Sequence, residues 1–200
     1  MSTKKNIVIV GGGAGGASVA RTLSAKLDGT KYNITLINPR PFFVPLPVMP
    51  RLVVSAVDNL EEKAFPSLDN VFHNGNGTFV SGKVASIEKK TEKGGSVVLD
   101  DGQRIPFEVL VLATGSTWTG PIALPDGEAQ VKEFIRNRRD EFEKAQSIVI
   151  AGGGAVGLGE PRFGCAALDF DADVSFLELT GEIRDIWPVS NRTLVPSYTY

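Results

Sequence analysis

The chain has 200 residues, 42% of them hydrophobic and 22% charged, with a net charge of −2 and its basic residues dispersed. That composition supports a packed core and gives no electrostatic case for a nucleic-acid partner. One cysteine, Cys165, and one histidine exclude an internal disulfide framework, a CxxC redox pair or a zinc cluster, and no metal site is expected.

Met1 to Lys5 runs directly into a short apolar stretch, residues 6–10. That stretch is too short for a signal-peptide core or a membrane span. Ser2 excludes N-myristoylation. The expectation is a soluble, cytoplasmic protein with no transmembrane segment, leaving peripheral membrane or mitochondrial association open. Residues 6–10 predict a buried parallel strand, β-branched and without alternation. Ala17 to Leu27 predicts a helix with Val19, Ala20, Leu23 and Leu27 on one face, stopped by Asp28-Gly29. Ile34 to Ile37 predicts the next strand and completes a β-α-β unit. The proline-rich stretch Pro39 to Pro50 predicts irregular structure. Residues 78–107 predict a meander through Phe79-Val80, Val84 to Ile87, Val97 to Leu99, an Asp101-Gly102 turn and Ile105 to Phe107. Val109 to Leu112 predicts another buried strand, ending in Ala113-Thr114-Gly115. It should lie beside residues 6–10 and 34–37 in one parallel sheet. Pro121 to Gly127 predicts a linker. Val131 to Ala145 predicts an amphipathic helix with Val131, Phe134, Ile135 and Phe142 inward. Ile148 to Ile150 predicts the strand of a second unit.

Each end of this pattern carries a glycine-rich turn after a β-branched strand: GGGAGG at Gly11 to Gly16, and GGGAVG at Gly152 to Gly157. In the first, Gly11 makes the tight turn, Gly13 lets the backbone approach a pyrophosphate, and Gly16 lets helix pack on strand. Ala14 and Gly15 complete the helix start, whose free N–H groups and partial positive charge face the phosphates. In the second turn Gly152, Gly154 and Gly157 hold the matching positions. Two such turns predict a protein that binds two dinucleotides facing each other. The acid expected at the end of the second strand, for a ribose hydroxyl, is replaced by Asn38. An amide hydrogen-bonds a ribose less strongly than a carboxylate does.

VIVGGGAGG, the ATGS at 113–116 and SIVIAGGGAVG at 147–157 resemble the apoptosis-inducing-factor-like and ferroptosis-suppressor-like pyridine nucleotide–flavin oxidoreductases, relatives of type II NADH dehydrogenases. The resemblance implies an α/β fold. It would hold an FAD/NAD(P)-binding Rossmann-like parallel sheet, a small antiparallel meander and the start of a second Rossmann unit. The implied division is an FAD-binding domain over 1–120 and a partial NAD(P)-binding domain over 121–200. It implies FAD at Gly11 to Gly16 and Asn38, with Val84 against the adenine, Thr114-Gly115 closing over the cofactor and Phe43 to Arg51 near the flavin ring. NAD(P)H would bind at Gly152 to Gly157 and at Glu178, in the helix that follows. Electrons would pass from NAD(P)H through flavin to a small-molecule acceptor such as a quinone. No cysteine pair is present for the disulfide chemistry of some relatives. No residue marks catalysis, the oligomeric state or the choice between NADH and NADPH; Arg40 and Arg184 read as surface charges.

The second motif departs from that pattern. After Gly157-Leu158, residues 159–177 interrupt the expected helix, and Glu178-Leu179-Thr180-Gly181-Glu182-Ile183 resumes it. Gly159 and Pro161 oppose a continuous helix. Deleting 159–177 restores the pattern in frame. Codons for Gly159-Glu160, Ala172-Asp173 and Val174 to Leu177 can also supply splice-donor, branch-point and pyrimidine-run strings. A retained intron and a real loop are both open. The resemblance further implies more chain after Pro188, including a segment that completes the FAD site, whereas the sequence ends at Tyr200. Three functions follow: a flavoenzyme; a catalytically inactive nucleotide-binding fragment or mis-assigned gene product; or a nucleotide sensor using the first turn alone.

Overall fold

The computed structural model describes residues 4–91, 94–116 and 123–145. Among these, contacts define two compact units. One holds the residues up to Pro45, Phe65–Ser116 and Asp126–Glu128. The other holds Leu46–Ala64 and the helix from Ala129 onward. The predicted boundary near residue 120 falls in 117–122, outside the described residues, as does everything from 146 on, including the second glycine turn, the 159–177 interruption and Glu178.

The first unit is built on short apolar strands, the first two of which are covered on both sides, whereas Val109 and Leu112 of the 109–112 strand, expected to be buried, are 48% and 60% exposed. β1 (Lys5–Val10) pairs in parallel with β2 (Tyr32–Asn38), in the register Ile7↔Ile34 to Val10↔Ile37. On its other edge β1 pairs in parallel with β7 (Val109–Leu112), Ile7↔Val109 to Val10↔Leu112. The three expected neighbours are therefore adjacent, and β1 is an inner strand in the sheet order β3 (Thr78–Ser81), β2, β1, β7. Alternate side chains enter two cores, as the two-residue period of a strand requires. Ile9, Ile34 and Leu36 pack with Ala20, Leu68 and Phe72, bordered by Val19, Leu23 and Leu27 of helix α1 (Ala14–Lys26). Val8, Val10 and Ile37 pack with Val97 and Leu99 of the antiparallel sheet.

That sheet is the meander β4 (Val84–Thr91), β5 (Gly94–Leu99) and β6 (Arg104–Phe107), joined at the expected Asp101-Gly102 turn, where Gly102 has φ +87°. Phe79-Val80 does not belong to it. Thr78–Ser81 forms β3, which pairs in parallel with β2 at the sheet edge, Thr35↔Thr78 to Asn38↔Ser81. The reason is two-sided burial: Phe79 packs toward the α1 core and Val80 toward the meander core. α1 starts earlier than its apolar pattern, because the glycines themselves enter the helix. It ends where Asn76 Nδ2 donates to the carbonyls of Ser24 (3.1 Å) and Leu27 (3.0 Å), satisfying acceptors that the helix cannot.

In the second unit the proline-rich stretch corrects the sequence reading. Leu46–Val48 is a 3-10 turn and Met49–Val54 is helix α2. Pro50 lies in the first turn of α2, where its missing N–H has no helical acceptor to lose. Met49, Leu52, Val53 and Val54 are buried, as are Val131, Ile135 and Phe142 of α3 (Glu128–Lys144). Phe134 is only half-buried and lies under the Arg138 guanidinium, 5.1 Å from its ring centre. Arg139 of α3 donates through Nε to the Leu52 carbonyl (2.7 Å) and through both terminal nitrogens to Glu61 (3.0 and 2.9 Å). The Arg139 and Glu61 side chains are only 12% and 14% exposed. The guanidinium hydrogen bonds hold the Glu61 carboxyl down at about 2, against a usual 4.5, and outweigh the opposing push of burial.

Candidate functional site

The first glycine turn sits where β1 runs into α1. Gly11 N–H continues the β1 ladder by donating to the Ile37 carbonyl (2.8 Å), and Ala113 N–H does the same toward Val10 (2.8 Å). Gly11 then turns with φ +105°, a conformation that side chains oppose. A Cβ there would lie 2.2 Å from the Ala113 carbonyl oxygen. A Cβ on Gly16 would lie 1.8 Å from the Gly11 carbonyl oxygen. These two glycines thus let strand β7, the turn and the helix approach one another, as the spacing of the motif predicts.

The middle of the turn differs. A Cβ on Gly13 or Gly15 would meet nothing within 4 Å, and Gly13, Ala14 and Gly15 are exposed. Gly13 is the N-cap of α1, with no side-chain cap and no acid in the first turn. Its carbonyl accepts the first helical bond, from Ala17 N–H (2.9 Å). The helix therefore offers uncapped N–H groups and the positive end of its dipole beside open backbone. A pyrophosphate fits that chemistry: it needs donors, positive potential and room where side chains would stand.

Gly12, which the motif arithmetic left without a role, is buried behind the turn. A Cβ there would lie 2.5 Å from Leu68 Cδ1 and 2.9 Å from Asn38 Cγ. Its N–H donates to Asn38 Oδ1 (2.8 Å), while Asn38 Nδ2 donates to the Arg40 carbonyl (2.8 Å). Leu68 reaches this place because its N–H donates to the Pro41 carbonyl (2.9 Å) and Phe42 bridges to Ser67. Nothing local announces Leu68. The only sequence signal for Gly12 is that it is the middle glycine of GGG.

The other expected positions surround this point unevenly. The Asn38 carbonyl accepts Gly82 N–H (3.1 Å), which brings the start of β4 to the end of β2. Val84 is half-buried there, its side chain against the meander core. Thr114 and Gly115 are exposed just beyond the Ala113 carbonyl that walls Gly11, and Gly115 has φ +69°. Arg40 is ion-paired with Asp126 (3.4 Å), which also faces Lys83 at 3.9 Å. Of the Phe43 to Arg51 stretch, Phe43 packs on the α1 core, whereas Leu46 to Arg51 belongs to the other unit. Gly152, Gly154, Gly157 and Glu178 lie outside the described residues. Among the described residues no cluster of His, Cys, Asp and Glu could hold a metal, and no helix is long and apolar enough to cross a membrane.

A parallel sheet with a glycine turn at the end of its central strand, leading into an uncapped helix, defines a dinucleotide-binding fold of the Rossmann-like class. The sequence profile of the pyridine nucleotide-disulphide oxidoreductases matches residues 5–191, and the chain belongs to that family. Among relatives, FAD-dependent oxidoreductase FVFD30 of Flammulina velutipes is 47% identical over 146 residues, covering 73% of this chain and 40% of that protein. Apoptosis-inducing factor homolog B of Dictyostelium discoideum is 30% identical over 99% of this chain and 43% of its own length. The chain thus spans less than half the length of these relatives. The sulfide:quinone oxidoreductase of Aquifex aeolicus superposes with a TM-score of 0.56 at 23% identity, covering 77% of this chain and 36% of that one. The fold class and family expected from the motifs are thereby shown, as is membership of an oxidoreductase family that works with FAD and pyridine nucleotide.

Proposed function

We propose that this chain carries the flavin-binding half, and the start of the nicotinamide half, of an NAD(P)H:acceptor oxidoreductase. The observation that supports this most strongly is the contrast inside the first turn. Gly11 and Gly16 are closed by packing, while Gly13 and Gly15 face open space at an uncapped helix start. Gly11 to Gly16 would receive the FAD pyrophosphate on backbone N–H groups, with Val84 and Thr114-Gly115 at the borders of the cofactor. FAD would supply hydride acceptance from NAD(P)H and onward electron transfer. The chain's own residues would bind it and orient it. A quinone is the proposed acceptor, in keeping with what the Aquifex protein is named for, and the cytoplasm is the proposed location. The nicotinamide would use Gly152, Gly154, Gly157 and Glu178. The 159–177 interruption between those glycines and Glu178 favours a second reading, an inactive nucleotide-binding fragment.

The test is purification followed by absorbance in the flavin bands and titration with FAD, then with NAD(P)H. FAD binding at the first turn, displaced by ADP, is the expected result. A chain that binds neither FAD nor ADP overturns the proposal. FAD binding without flavin reduction by NAD(P)H selects the inactive fragment. Flavin reduction restored on deleting 159–177 would assign the fault to the interruption.

A further inference from the structure

Asn38 occupies the position where a dinucleotide fold ordinarily places a ribose-binding acid, yet its carboxamide faces the protein. We propose that Asn38 is a positioning residue: a neutral strut that holds the Gly12 amide and fixes the phosphate turn, with ribose recognition left to other groups. The proposal rests on the reading of the turn as a dinucleotide site, and it concerns how that site is built.

The chemistry of the two contacts selects asparagine. Gly12 presents a donor and Arg40 presents an acceptor, each 2.8 Å from the side chain. Only a carboxamide offers an acceptor to one and a donor to the other at that length. A flipped amide would set donor against donor and acceptor against acceptor, so the contacts fix its orientation. A carboxylate could still accept from Gly12, but it would turn its second oxygen toward the Arg40 carbonyl. It would also add negative charge beside a diphosphate. An apolar residue would strand the buried Gly12 N–H, a loss that packing does not offset. Leu68 Cδ1 also borders Gly12, which is buried. The Asn38 backbone carbonyl meanwhile holds Gly82 N–H. One residue therefore ties the turn, the loop after β2 and the start of β4.

The experiment uses the whole 200-residue chain with Asn38→Leu and Asn38→Asp, and two readouts. The first is amide hydrogen exchange of Gly12 in the ligand-free protein. Asn38→Leu should speed it roughly tenfold or more, as loss of one hydrogen bond implies, and Asn38→Asp should keep it slow. Unchanged exchange in Asn38→Leu overturns the proposal whether or not any nucleotide binds. The second compares affinity for ADP and for 2′,3′-dideoxy-ADP. A strut predicts that Asn38→Leu weakens both by the same factor. A ribose ligand predicts a loss with ADP that vanishes with the dideoxy analogue, and that result also overturns the proposal. If neither nucleotide binds even to the unaltered chain, the functional reading of the turn fails, while the exchange readout still decides the role of Asn38.

Discussion

Gly12 in the first unit and Leu52 in the second are backbone groups caught by distant side chains, and the two side chains are chemical opposites. Gly12 gives its N–H to the neutral amide of Asn38. Leu52 gives its carbonyl to the charged guanidinium of Arg139, which needs Glu61 to balance it. A neutral strut does not titrate and leaves no fixed charge beside a diphosphate. A charged clamp offsets its own desolvation only while both partners stay ionised. The first glycine turn is thus held by a contact that is indifferent to pH, and the α2–α3 packing by one that is sensitive to it.

The comparison breaks most severely at the packed ends of the turn. Gly16→Val would place its Cβ 1.8 Å from the Gly11 carbonyl oxygen and 3.4 Å from the Ala113 side chain, and the Gly11 backbone cannot swing aside. A loss above about 4 kcal/mol is expected, read as absent cooperative unfolding by circular dichroism. Gly13→Val should do the reverse. Its side chain meets open space, so stability should change by less than about 1 kcal/mol. FAD or ADP affinity should fall at least about 100-fold, or ~2.7 kcal/mol, by calorimetry. A Gly13→Val protein that retains flavin would remove the distinction between packed and open glycines.

The charged clamp gives the next effect. Removing the Glu61 charge with Glu61→Gln should cost about 2–3 kcal/mol at neutral pH. Because the folded carboxyl is depressed to about 2 from 4.5, its contribution is complete above the usual value and is lost as pH falls from 4.5 through about 2. Denaturant midpoints should therefore fall across that window in the unaltered chain and stay flatter in the Gln variant. The smallest effect is expected at Arg104–Glu88, an ion pair of 2.6 Å whose partners are 59% and 41% exposed. Arg104→Ala should cost under about 1 kcal/mol, less in high salt. A larger loss would mean that exposure, and not charge alone, has been misjudged as the distinguishing feature.

The sheet centre is legible because Ile7 to Val10 and Ile34 to Ile37 are short and largely apolar on both faces, as a covered parallel strand is; Val109 to Leu112 shares the pattern and the pairing, but its Val109 and Leu112 are exposed. Phe79-Val80 is also apolar on both faces, but over too few residues to separate it from the adjacent meander. Proline statistics misread residues 46–50 of the Pro39 to Pro50 stretch, since they forbid the helix interior and not its first turn. Within the turn, the tight bend at Gly11 and the close packing at Gly16 followed from their spacing. Gly12 and Leu68 did not, because their contact joins segments far apart in the chain and leaves no periodicity in either.

The carbonyl that walls Gly11 belongs to Ala113, at the end of β7. β1 and β2 are joined by a single helix, but β7 reaches β1 only after the chain has passed through β3 to β6. Long loops close late, since ordering the intervening chain precedes the reward of contact. The expected order of assembly therefore leaves the turn one-sided until the last strand of this unit arrives. A nascent chain displays its glycines early and gains the walled turn only when the sheet closes, so ligand occupancy of the proposed site would report completion of the fold.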